Sequence, residues 1–80
     1  MWTEENNALQ RIFKFKNFTQ AFAFMTEVAF AAEKQNHHPN WSNVYNTVDI
    51  KLNTHDKGDI VTEKDHALAK AIDGIFERYA

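Results

Sequence analysis

Three of the four histidines stand at two places, in the run Glu33-Lys34-Gln35-Asn36-His37-His38-Pro39 and in the tripeptide Asn53-Thr54-His55. Unperturbed imidazole titrates near about 6.5, so at neutral pH a positioned ring donates or accepts a proton with little driving force wasted. Glu33 is close enough in sequence to hold a tautomer or stabilise an imidazolium. Two adjacent His at a helix exit are also what an ordinary hydrophilic terminus looks like. A metal site is the other sharp reading, and geometry weighs against it. Neighbours in an extended segment point to opposite sides, so His37 and His38 do not readily chelate one ion, and the chain has no Cys. Two diverging rings could instead grip a flat heterocycle from different directions. His55 alone would read as a loop residue. His66 falls in the first turn of a helix, where the dipole disfavours a protonated ring. Trp2 and Trp41 are by default packing residues whose rings could also wall a ligand slot.

The elements that must position these groups can be read from periodicity. Trp2–Glu4 and Gln10–Lys16 suit two strands, the second half-buried through Ile12, Phe13 and Phe15, with Asn6-Asn7 able to close a hairpin. Asn17 and Gln20 have capping-box spacing, so a helix starts at Phe18. Phe18, Phe22, Met25, Ala29 and Ala32 define its apolar face, widened by Ala21, Phe24 and Val28. Pro39 disfavours helical geometry at His38, which stops that helix near Asn36. Trp41–Tyr45 and Val48–Thr54 read as two strands turning at Asn46-Thr47, or as one long bent strand. Val48, Ile50 and Leu52 should face the helices. Asp56–Asp59 is a loop, and Thr62 with Asp65 caps a last helix that presents Ala67, Leu68, Ala71, Ile72, Ile75 and Phe76 up to the C-terminus. The order β-β-α-β-β-α with short connections predicts an α+β fold, a four-stranded antiparallel sheet with helices on one face. One difficulty follows. His55 has the opposite parity to Val48, Ile50 and Leu52, so it joins His37 and His38 only beyond the strand end, at an edge of the sheet.

Composition bounds the function. Eighty residues without Cys, with two Gly and one Pro, make one domain spanning 1–80. Hydrophobic residues at 44% and charged residues at 25% are the proportions of a folded globular chain. A net charge of -2 removes the long-range attraction to phosphate that a nucleic-acid binder usually shows. Lack of Cys excludes a disulfide framework and a thiol nucleophile. No apolar run reaches about 18 residues, which argues against a membrane span, and the acidic start Met1-Trp2-Thr3-Glu4-Glu5 is unlike a signal peptide; the chain reads as cytoplasmic. So small a core makes self-association a natural supplement to stability.

Taken in series, Glu33 through Pro39, then Trp41, Asn43-Val44-Tyr45, Thr54-His55 and Asp65 resemble the pterin-4a-carbinolamine dehydratases, and the resemblance extends over nearly the whole chain, including Phe18, Ala21-Phe22 and Phe24-Met25. It implies the same four-stranded antiparallel fold. It also implies dehydration of 4a-hydroxytetrahydrobiopterin to the quinonoid dihydropterin, a step that recycles the cofactor of aromatic amino-acid hydroxylases. Acid and base catalysis suffice for such a carbinolamine, with no metal or organic cofactor. By the same resemblance His37 and His55 are acid and base groups, Glu33 supports them or takes the nitrogen proton, and His38 holds the substrate. Asn36, Pro39, Asn53, Thr54, Asp65 and Trp2 correspond to substrate-binding positions. A homo-oligomer, dimer or tetramer, is implied. The alternative function is that of a dimerisation cofactor, since some animal members also bind a homeodomain transcription factor.

Overall fold

The elements of the computed structural model, which describes all residues from Met1 to Ala80, follow the predicted order. They are β1 (Thr3–Glu5), β2 (Ala8–Lys14), α1 (Phe18–Gln35), β3 (Asn40–Val44), β4 (Thr47–Leu52) and α2 (Glu63–Phe76), with a single 3-10 turn at His55–Lys57. The strands form one antiparallel sheet in the spatial order β1-β2-β4-β3, so the fold is α+β as expected.

Asn6 and Asn7 close the first hairpin with φ of 52° and 63°, a left-handed geometry that Asn tolerates and that matches the twist of the flanking strands. The second hairpin turns one residue earlier than the sequence suggests, at Tyr45-Asn46, and Thr47 already belongs to β4. Tyr45 has φ 51°, which is costly for a bulky residue. Local hydrogen bonds offset that cost. The Asn46 side chain donates to the Phe15 carbonyl at 3.0 Å, and the Asn43 amide donates to the carbonyls of Tyr45 and Thr47 at 3.1 and 2.8 Å.

Val48, Ile50 and Leu52 are buried, and Leu9 and Phe13 stand opposite Leu52 and Val48 on the same face. Leu68 and Ile72 of α2 and Phe24 and Val28 of α1 close the core over them. The opposite sheet face is polar, with Gln10 donating to Asp49, although Ile12 also lies there half-exposed. Asn17 caps α1 by accepting the Gln20 N–H at 2.9 Å, while Gln20 accepts from the Lys16 N–H, one residue beyond a standard capping box.

The buried stripe of α1 is Ala21, Phe24, Val28 and Ala32, whereas Phe18 and Phe22, expected to lead that face, are 47% and 57% exposed. The two stripes run side by side on the helix, and apolar spacing alone does not say which one meets the sheet. On α2 the predicted capping box of Thr62 and Asp65 forms. Ala69 is buried with Leu68 and Ile72, Ala67 faces outward, and the helix ends at Phe76 rather than at the C-terminus. No helix is long and apolar enough to cross a membrane.

Candidate active site

The end of α1 places the first imidazole. Asn36 caps the helix in the left-handed region, φ 51°, and the His37 N–H reaches back to the Ala32 carbonyl at 3.0 Å. This reversal folds His37 inward, so the ring is buried against α2, and its Nε2 lies 2.5 Å from Oδ1 of Asp65. Asp65 is itself fully buried. Its Oδ2 accepts from the Thr54 hydroxyl at 2.9 Å and from the Thr62 N–H at 2.8 Å. A carboxylate only accepts. Nε2 of His37 is therefore the donor, and in the neutral ring Nδ1 keeps the lone pair.

The other two imidazoles each meet a carboxylate as well. His38 Nε2 lies 2.9 Å from Glu33 Oε1, and His55 Nδ1 lies 2.7 Å from Asp59 Oδ1. Both of those pairs are exposed, whereas the His37–Asp65 pair is not. All three histidines line one cavity of about 310 Å³. Asn36 and Asn53 add amides to its wall, Asp56 and Lys64 add one charge of each sign, and Thr54 completes the lining. The parity difficulty at His55 resolves because β4 stops at Leu52. Thr54 then bridges to Ile60, and the 3-10 turn redirects the chain before His55 would continue the pleat.

The sequence-predicted residues divide three ways. His37, His38, His55, Asn36, Asn53 and Thr54 come together on the cavity. Glu33 and Asp65 are not in its wall, the first exposed and the second buried, but each is bonded to one of its imidazoles, and the Thr54 hydroxyl is turned to Asp65. Pro39 and Trp2 are not part of the cavity wall. Pro39 leads into β3. Trp2 is on the core side of the sheet, where its indole N–H donates to Asp73 at 2.7 Å and its ring meets Phe13 edge-on at 5.9 Å. Arg11 bonds the same Asp73 oxygen at 2.7 Å, so this corner fastens the N-terminus to α2.

Three cavity residues and partners escaped the sequence reading: Asp56, Asp59 and Lys64. For Asp59 a signal existed, the i, i+4 spacing from His55 in a stretch that winds into a helical turn. Nothing in the order of residues marks Lys64 as a wall residue, because that depends on how the first turn of α2 sits against the β4 end.

Comparisons with known proteins identify the family. Residues 1–75 match the family described as pterin 4 alpha carbinolamine dehydratase. A relative from Mesorhizobium japonicum, provisionally named for the same enzyme, is 61% identical over 69 residues, covering 86% of this chain and 69% of its own. A crystal structure described as a transcriptional coactivator/pterin dehydratase from Brucella melitensis superposes with a TM-score of 0.88 at 45% identity, over 92% of this chain and 80% of that one. A second structure, of a pterin dehydratase-like protein identified as a RuBisCO assembly factor in the alpha-carboxysome, gives 0.75 at 25% identity over 94% and 86%. A match over nearly all of the sequence, joined to three carboxylate-paired imidazoles on one cavity, leads to one conclusion: the chain belongs to the pterin-4-alpha-carbinolamine dehydratase family.

Proposed function

We propose that the protein dehydrates a 4a-hydroxytetrahydropterin to the quinonoid dihydropterin and water, in recycling of a tetrahydrobiopterin cofactor. The observation that carries this reading is the sharing of one cavity by His37, His38 and His55, each with a ring nitrogen paired to its own carboxylate. In a carbinolamine the lone pair of the ring nitrogen expels the neighbouring hydroxyl as water once that hydroxyl is protonated, and the nitrogen then loses its proton. One group must give a proton and another must take one. His37, with Nε2 held by Asp65, offers a bare Nδ1 in its neutral form, which suits the base. His55, whose cation Asp59 would stabilise, suits the acid. His38 and the amides of Asn36 and Asn53 hold the bicycle. Such transfers contribute about 10² to 10⁴ in rate.

The test is the loss of 4a-hydroxypterin absorbance. The wild-type chain should outrun the spontaneous reaction, and His37→Ala and His55→Ala should each lose most of that excess. A wild-type rate equal to that of buffer would contradict the assignment.

Copies of the chain self-associate in this reading. Phe18, Phe22 and Phe30 are 47%, 57% and 72% exposed on α1, more aromatic surface than a small domain keeps in water. A coactivator role towards a transcription factor is the second reading, and it would use such a surface. It gives no account of the buried His37–Asp65 pair, which favours the enzyme.

A further inference from the structure

The atoms that start α2 are also the atoms that orient His37. Asp65 closes the capping box of α2 through the Thr62 N–H and holds His37 through its other oxygen. Thr62 is joined to the same group a second time. Its hydroxyl oxygen accepts the Lys64 N–H at 3.3 Å and lies 2.6 Å from the Thr54 hydroxyl oxygen, which lies 2.9 Å from Asp65 Oδ2.

Only one direction of donation satisfies all of these contacts. The carboxylate cannot donate, so the Thr54 proton goes to Asp65 and the Thr62 proton must go to Thr54. If Thr62 did not donate, the Thr54 hydroxyl could rotate towards Thr62 and turn a lone pair on the carboxylate.

We propose that Thr62 is a positioning residue. Its hydroxyl, acting through Thr54 and Asp65, keeps His37 in the tautomer with the proton on Nε2 and the Nδ1 lone pair free for substrate. Thr62 does not itself line the cavity; its hydroxyl touches the Lys64 backbone as well as Thr54, and substitution of Thr54 separates the two routes. The ring proton of His37 stays on Nε2 while Asp65 is a carboxylate; if Asp65 takes a proton from solvent it donates to Nε2 instead, and the ring proton moves to Nδ1. Hydrogen bonds are stronger to a charged carboxylate than to a neutral carboxyl, so each donor on Oδ2 favours the proton on Nε2. Replacing Thr62 removes the donor that polarises and orients the Thr54 hydroxyl, and replacing Thr54 withdraws one of the two donors outright. The other, the Thr62 N–H, remains. This inference rests on the dehydratase reading for its consequence in catalysis, but the tautomer itself can be read without substrate.

The experiment uses the full chain with 15N-labelled histidine and a long-range proton–nitrogen correlation spectrum. Wild-type His37 should show Nδ1 at the position of a bare ring nitrogen and Nε2 at that of a protonated one. Thr62→Val should move both signals towards each other and lower kcat about tenfold, part of what a proton transfer contributes, with KM changed little. Thr62→Ser, which keeps the hydroxyl, should restore both readouts. Thr54→Val breaks the middle link and leaves the Thr62 cap on the Lys64 N–H intact. It should give the same spectral change, and it carries the test if Thr62→Val fails to fold. Unchanged His37 signals in a folded Thr54→Val or Thr62→Val protein would overturn the proposal. Moved signals in a protein whose wild type shows no dehydratase rate would uphold the positioning and overturn the reading of function instead.

Discussion

His37, His38 and His55 each have one ring nitrogen committed to a carboxylate, yet the three carboxylates differ in what they can do. Asp65 is buried with three donors around it, whereas Glu33 and Asp59 sit in solvent, where an ion pair contributes about 0 to 1 kcal/mol. Replacing Asp65 should therefore cost far more than replacing Asp59. Asp65→Ala leaves the Thr62 N–H and His37 Nε2 without an acceptor and should destabilise the fold by about 2 to 4 kcal/mol. Asp65→Asn should lower kcat by at least about tenfold, as the His37 tautomer is no longer imposed. Asp59→Asn should change kcat by less than about threefold, since water replaces its contact. Chemical denaturation and the absorbance assay, run on all three variants, check the order. The histidines themselves were legible because imidazole is rare and proton-active near neutral pH. Asp65 was legible only as a cap and as a position in a recognised pattern. Its contact with His37 joins residues 28 apart and depends on the left-handed turn at Asn36.

At the scale of elements, caps and turns were the readable part because they rest on local chemistry. Asn17, Asn36 and the Thr62–Asp65 box end or start helices where the sequence places them, while the second hairpin shifts by one residue through side-chain bonds from Asn43 and Asn46 that no short-range pattern encodes. One contact between elements was not legible at all. Beyond α2, Tyr79 donates to Glu27 on α1 and Arg78 pairs with the same carboxylate, clasping the C-terminus against the helix. The hydrogen bond to Glu27 raises the Tyr79 pKa above its ordinary 10.0, with burial and the Glu27 charge adding to it and Arg78 opposing. A pKa raised on folding means that the folded state holds the proton longer. The stabilisation is then complete below the ordinary value of 10.0 and is lost as pH climbs through the folded value. In a Tyr45→Phe background, phenolate absorbance should titrate above the ordinary tyrosine range, and Glu27→Gln should bring the midpoint down. A midpoint that Glu27→Gln leaves unmoved would show that the clasp does not form.

The whole molecule is a thin sheet covered on one side, with an α1 that carries two adjacent apolar stripes. Periodicity made that helix the clearest element in the sequence, but it could not separate the stripe that fills the core from the one left in solvent. Phe24 went inward and Phe22 outward, although both belong to the same apolar run. The outward stripe leads to a prediction about assembly: light scattering should report a mass above one chain for the wild type, and Phe22→Glu should lower it without unfolding the protein. A wild type that stays monomeric at all concentrations would contradict it. The sheet topology also decides where the chemistry sits: β4 is an inner strand, so the site predicted for a sheet edge lies instead at the strand ends, where β4 and α1 finish, while Trp2 anchors α2 through Asp73. The most direct test of the whole account is therefore where a stable dihydropterin analogue binds, mapped by histidine and tryptophan signals on the full chain. Saturable binding that perturbs His37, His38 and His55 together, and leaves the Trp2 indole unmoved, is the predicted result. Binding that reaches at most one of those imidazoles, or no binding at all, would contradict it.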